Sequence, residues 1–180
     1  MSLRFVQRSL FSALLFGAML TVSVGCDTSD PVPSVEPAEV AGTYDFSVFR
    51  FVPDRTGIAG VSLLDSLITD ETGLQLVDTG DFRLQYQFQD DAFDDDIRGT
   101  FTVNRDEVVL RPRSEDRDLL PGLLIPDETL VLQRESDSIL SFDETVTVDL
   151  EAFDERAYGG IAPQPGRLTI RILRRGTIRD

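Results

Sequence analysis

Few side chains in this sequence could do covalent or metal chemistry. Cys26 is the only thiol, and the chain has no histidine, lysine or tryptophan. All 17 basic residues are arginine, against 22 aspartates and 10 glutamates. Without histidine there is no Ser-His-Asp triad and no usual zinc site. Paired carboxylates can hydrolyse glycosides, but among 32 acids no pair is marked out by its spacing. The chain therefore does not read as an enzyme, and nothing in it asks for a cofactor. The most suggestive acidic spacing is in one hairpin loop, Asp90, Asp91, Asp94, Asp95 and Asp96, with Gly99 nearby. Calcium takes several carboxylate oxygens from a flexible loop, so Asp90, Asp91, Asp94 and Asp96 are candidate ligands. Arg98 occupies a ligand position of such a loop, and Arg105 stands where its closing glutamate belongs. A solvated acidic loop is the alternative.

Cys26 takes its meaning from what precedes it. Residues 1–25 have the three parts of a secretory signal: Arg4 and Arg8, an apolar run of 15 residues from Leu10 to Val24, and small residues Ser23 and Gly25. The run is short for a membrane span, which needs about 20 apolar residues. Val22-Ser23-Val24-Gly25-Cys26 resembles a bacterial lipobox, with Ser23 where a leucine is commoner. The resemblance implies removal of residues 1–25, acylation of Cys26 and residence in the cell envelope, tied to the lipid bilayer. Each buried methylene contributes about 0.8 kcal/mol, so several acyl chains hold firmly. The other readings are an ordinary signal peptide with an incidental cysteine, or a short uncleaved anchor. Which membrane and which face receive the protein stays open, although Asp27 resembles an inner-membrane retention signal of some proteobacteria.

Loss of residues 1–25 would move the net charge from −15 to −17. Such a surface repels nucleic acid and anionic head groups, which excludes both as partners. It fits either a halophile-like acidic surface or a merely acidic protein of a GC-rich genome. With its one cysteine used as an anchor the chain can form no internal disulfide, so the fold must rest on its apolar core. The remaining 155 residues suffice for one domain.

Four segments follow from composition and pattern. After the signal at 1–25, residues 26–39 are the lipidated cysteine and a tether. Pro31, Pro33 and Pro37 favour extended geometry, reaching roughly 40 Å at about 3.1 Å per residue. A folded domain spans 40–175, and 176–180 are a tail. Within the domain the dominant period is two. Phe82, Leu84, Tyr86 and Phe88 alternate with Arg83, Gln85, Gln87 and Gln89, as in a half-buried antiparallel strand. Tyr44, Phe46 and Val48 share a face, whereas Phe49 and Phe51 fall on the other, which calls for a bulge or a strand leaving its sheet. Residues 61–68 fit a strand better than a helix, and 152–166 read as loop. Leu140, Phe142, Val146, Val148 and Leu150 share parity on a long strand. Glu144 has the same parity and would point inward, unless the strand bends there.

Eight or nine strands with short turns at 78–81, 104–106 and 135–138 predict successive hairpins. The expected fold is all-β, an antiparallel up-and-down barrel of about eight strands, since closure removes exposed sheet edges. A two-sheet β-sandwich is the alternative. Three stretches resemble bacterial lipocalin-like domain lipoproteins: Gly42-Thr43-Tyr44, with tyrosine where the family has tryptophan; Leu74 to Phe82; and Gly99-Thr100-Phe101-Thr102-Val103 with Val108-Val109-Leu110. The resemblance spans about 70 residues in matching order and implies a small barrel with one closed and one open end. It implies no shared catalytic residues.

An eight-stranded barrel can be filled by side chains or can hold one small ligand. Tyr44, Phe46, Phe82, Tyr86, Phe88, Phe101, Phe142 and Glu144 are the candidate lining of such a cavity, or, for the rings, of a filled core. Leu119, Leu120, Leu123, Leu124 and Ile125 form an apolar loop that could plug the barrel, cap its mouth or meet a partner. Two function classes follow: an anchored module binding a small apolar or amphipathic molecule, and a filled barrel whose loops at 112–127 and 152–166 dock an envelope protein.

Overall fold

A computed structural model describes residues 36–176 apart from Phe93 and Asp127. Cys26, the lipobox and most of the tether therefore lie outside the described residues. Among the described residues nine strands form: β1 (Gly42–Pro53), β2 (Val61–Ser62), β3 (Gly73–Leu76), β4 (Asp81–Tyr86), β5 (Asp95–Asn104), β6 (Glu107–Pro112), β7 (Leu130–Ser136), β8 (Ile139–Val148) and β9 (Gln164–Arg174). β1 pairs with β3, each later strand pairs with the next, and β9 returns to β1, all antiparallel. Eight strands thus close a barrel in sequence order. The two-residue β2 is an extra, paired with β1 at Arg50 and Phe51. The expected up-and-down barrel is the observed one, and its closed ring is consistent with a calycin-like barrel.

Alternation decides which side chains enter. Phe82, Leu84 and Tyr86 of β4 are buried, as are Ile97, Phe101 and Val103 of β5 and Leu168, Ile170 and Ile172 of β9. The face switch in β1 has its cause at Ser47. Phe46 pairs with Ile172 and Val48 with Arg171, so one residue of β1 is left over between them. This bulge turns Phe49 and Phe51 into the core and leaves the rings of Phe46 and Phe49 stacked at 5.3 Å. Two glycines let aromatic rings close the wall. A Cβ at Gly99 would come within 2.6 Å of the Phe82 ring, and one at Gly166 within 2.6 Å of the Phe51 ring. In both places the ring occupies the room that a side chain would need.

The two ends of the barrel differ. At one end are the tight turns after β3, β5 and β7, together with the chain's entry through α1 (Pro37–Val40). There Tyr44 Oη donates to the Val40 carbonyl at 2.7 Å, Val40 is buried, and the Arg174 guanidinium donates to the Ala41 carbonyl. Burial raises the Tyr44 pKa, only partly offset by Arg174 and Arg134. At the other end are the four long connections 54–72, 87–94, 113–129 and 149–163.

Several expectations need correction. The stretch 61–68 is strand for two residues only. A 3-10 turn at Leu63–Asp65 then carries Leu63 inward, and Leu67 is buried as well. The tether's last residues are not extended, since Pro37–Val40 form a helical turn. Leu150 does not continue β8 but starts α2 (Leu150–Phe153), followed by α3 (Glu155–Tyr158), so the expected loop at 152–166 contains helix and the start of β9. Asp149 accepts from the Glu151 amide, and Asp154 from the Arg156 and Ala157 amides, which is N-cap chemistry. No helix among the described residues is long and apolar enough to cross a membrane.

Candidate functional site

The open end of the barrel is built by what plugs it. After β6 the chain makes 3-10 turns at Arg117–Leu119 and Pro121–Leu123 and drives Leu120, Leu123, Leu124 and Ile125 into the interior; Leu119 is half-buried. Leu124 adopts φ 58°, a left-handed conformation that costs a non-glycine residue about 1–2 kcal/mol. Full burial of a leucine side chain contributes about 1.5–3 kcal/mol, so four buried apolar residues outweigh that strain. Burial of all four, with Ile125 bordering the barrel interior, fits a loop folded back onto the core rather than one held out for a partner.

Behind the plug the barrel is packed. Among the described residues, the space bordered by Phe46, Leu74, Leu84, Leu110, Ile125, Leu130, Leu132, Ile170 and Ile172 holds about 10 Å³. This is about the volume of a single water probe, and the walls are apolar. Every buried side-chain nitrogen and oxygen among the described residues has a hydrogen-bond partner, so no polar group inside waits for a ligand.

The predicted lining residues are dispersed by this packing. Tyr44, Phe82, Tyr86 and Phe101 are buried core, with Tyr44 at the tight end. Phe46 borders the void, Phe142 is half-buried against the core, and Phe88 is half-buried at the mouth. Glu144 is exposed and lines no cavity, which corrects the inward expectation. It does lie opposite the fully buried Leu168. However, β7 pairs with β8 only as far as Ser141, so Glu144 has a strand partner on the β9 side alone, and its carboxylate is exposed.

The acidic loop does not assemble a calcium site. Among the described residues no three carboxylates, cysteines or histidines are grouped to hold a metal ion. β5 already begins at Asp95, so successive side chains are sent to opposite faces. Asp96 accepts from Arg83 Nε at 2.6 Å and Arg98 Nη2 at 2.7 Å, and Asp94 accepts from Gln85 Nε2 at 2.8 Å. Partial burial pushes the Asp96 pKa up, but the bonds from Arg83 and Arg98 outweigh it and hold the carboxyl below its usual range. Asp90 and Asp91 are exposed.

Those two residues border a cleft that the sequence did not reveal. At the mouth, an open space of about 600 Å³ lies between the turn at 87–91 and helices α2 and α3. Its apolar wall is Phe88 and Phe153, whose centroids are 6.1 Å apart, with Tyr86 edge-on to Phe88 at 5.7 Å. Its rim carries Asp65, Asp90, Asp91, Asp154 and Glu155 against one Arg156. Burial raises the Tyr86 pKa well above the usual phenol value, with Asp95 and Asp91 adding to the effect, so this ring stays neutral. The signal for Phe153 was present in the capping aspartates Asp149 and Asp154, which mark two helix starts in a segment rich in glycine and proline.

A second polar recess of about 550 Å³ lies outside the barrel on β3 and β4, among Asp70, Arg83, Gln85, Asp94 and Arg175. The outer surface is otherwise poor in apolar contact area. Among the described residues, Val52 and Leu173 are the large apolar side chains with substantial exposure, 41% and 40%. No protein-family model matches the chain, and no curated protein matches it in sequence.

Proposed function

We propose that this protein is an envelope lipoprotein, anchored through Cys26, whose filled barrel is a rigid platform for a protein partner at its loop end. The observation that carries this reading is the packed interior, with a residual void of about 10 Å³. A drug-sized ligand needs roughly 300 Å³ or more. A fold compatible with ligand binding is thus occupied by its own Leu120, Leu123, Leu124 and Ile125. Chain entry supports the orientation. The described chain enters the domain through Pro37–Val40 at the tight-turn end, which leaves the long loops at the opposite end. Loops carried by a rigid scaffold are where recognition concentrates.

A photo-cross-linking residue tests this in cells. Placed at Asp118 or Glu155 on the loop end, it is expected to trap one discrete envelope protein; placed at Asp78 or Asp106 in the tight turns, it is not. Adducts only from the tight-turn end would overturn the reading. The anchor has a separate check: Cys26→Ser is expected to abolish palmitate labelling and release the protein from membranes.

The mouth cleft favours a second reading. Its two phenylalanine rings and acidic rim suit a small amphipathic molecule with a cationic head, held at the mouth rather than inside. Fluorescent amphiphiles of both charges distinguish the two readings: saturable binding of the cationic probe, lost in Phe153→Ala, supports the second.

A further inference from the structure

Charge is unevenly shared between the two ends of the barrel. The long connections hold four acids and one arginine at 54–72, three acids at 87–94, five acids and two arginines at 113–129, and four acids and one arginine at 149–163. Each therefore nets −3, and together they carry −12 in 59 residues. The other 82 residues of 36–176 have 13 acids against 10 arginines, a net of −3. Pairing is as one-sided. Of the eight ion pairs among the described residues, Arg117–Glu128 alone joins residues of the long connections, and the other seven lie on the strands and at the tight-turn end. Charge that served only solubility or strong salt would be spread over the wall as well; here it is focused on one end.

The mouth cleft of about 600 Å³ gives this field an apolar slot. Phe88 and Phe153 are half-buried in its wall, their rings 6.1 Å apart and inclined at 62°. Around them Asp65, Asp90, Asp91 and Glu155 are exposed and enter no ion pair among the described residues. A guanidinium is planar and weakly hydrated. It stacks on an aromatic face within about 6 Å of the ring centroid while its N–H groups donate to carboxylates. We propose, resting on the platform reading, that the partner received at the loop end is a basic protein surface, one of whose arginines seats against Phe88 and Phe153 among these carboxylates. A single cationic amphiphile would fill the slot and leave the other connections unmatched. The charge excess covers all four of them, and complementing it takes a surface of protein size.

Two ranges of force then act together. The field of the whole end steers a basic partner and is screened by salt, as the Debye length falls from roughly 10 Å at 0.1 M to 3 Å at 1 M. Stacking on the two rings acts at contact and survives that screening, so it sets which cation is held once the partner has arrived.

Calorimetry on the full-length protein in a neutral detergent reads both ranges. The probes are a heptapeptide alternating glycine with three arginines, and its lysine and citrulline versions. The arginine peptide is expected to bind about threefold tighter than the lysine peptide, with no binding of the neutral citrulline peptide. Phe153→Leu keeps an apolar side chain but removes the ring, and should erase the preference for arginine over lysine. Asp90→Asn with Asp91→Asn should weaken the arginine peptide about fivefold or more, whereas Asp78→Asn with Asp106→Asn, the same charge change at the tight-turn end, should alter it less than about twofold. Equal effects of the two double variants, or arginine and lysine bound alike by the parent, overturn the proposal. So does stoichiometric competition by dodecyltrimethylammonium with no arginine preference, which assigns the slot to a small amphiphile. A loop-end protein cross-linked as well by Asp90→Asn with Asp91→Asn as by the parent overturns this inference and leaves the platform reading standing. Peptide binding as expected, with no protein cross-linked at the loop end, overturns the platform reading instead.

Discussion

Ile125→Ala removes three carbons at the point where the plug meets the residual void. At about 0.8 kcal/mol per methylene equivalent the lost transfer free energy is about 2.4 kcal/mol. The surroundings limit collapse: Leu110, Leu130, Leu132, Ile170 and Ile172 belong to paired strands and cannot follow the shortened side chain far. A cavity contribution of about 1 kcal/mol then adds to the transfer loss, for a total near 3–4 kcal/mol, inside the range of about 2–5 for such truncations. Equilibrium urea unfolding measures this as a lower midpoint at unchanged slope. The enlarged void is apolar and stays dry, so it should accept a small apolar probe such as benzene, read as a rise in Tm of Ile125→Ala that the parent lacks. A loss under about 1 kcal/mol, with no probe effect, would refute the argument that this loop fills the barrel.

Other expectations test the walls and the surface. Gly99→Ala sets a methyl against the Phe82 ring and the Arg111 carbonyl and should destabilise by about 2–3 kcal/mol in urea unfolding, with Phe82→Leu partly rescuing it. Asp96→Asn weakens the bonds from Arg83 and Arg98 and should cost about 1–2 kcal/mol at pH 7. The folded-state pKa of Asp96 lies below its usual 3.8, so this contribution is present above that value and is lost as pH falls through the folded-state pKa. Unfolding curves of parent and Asp96→Asn should therefore converge in acid and differ at neutral pH. Asp154→Ala removes the cap of α3 and should cost about 1 kcal/mol, while hydrogen exchange at the Arg156 and Ala157 amides rises.

Most of the barrel was legible because strands paired on both sides obey a strict period of two. β4, β9 and β5 from Asp96 onward follow it, and the switch between Phe46 and Phe49 announced the bulge at Ser47. The misreadings arose where that condition lapses. Glu144 has interior parity, but parity implies burial only where both flanks are occupied, and β7 leaves β8 beyond Ser141. Leu63 and Leu67 have i, i+4 spacing in a segment too short to declare a period, and their burial depends on where the barrel mouth lies. The leucines at 119–125 could equally have capped, docked or plugged. Only the space inside the closed ring, which local pattern does not encode, selects the plug. The mouth cleft joins Phe88 to Phe153 across 65 residues of chain; the caps Asp149 and Asp154 marked the helices that carry Phe153, but nothing local paired the two rings.

The central claim is that the barrel carries nothing inside but its own side chains. Native mass spectrometry of the protein extracted gently from its own membranes tests it most directly. The expected result is the mass of the acylated chain alone, with no small molecule released on denaturation. A stoichiometric apolar compound, released together with displacement of the 119–125 loop, would contradict it.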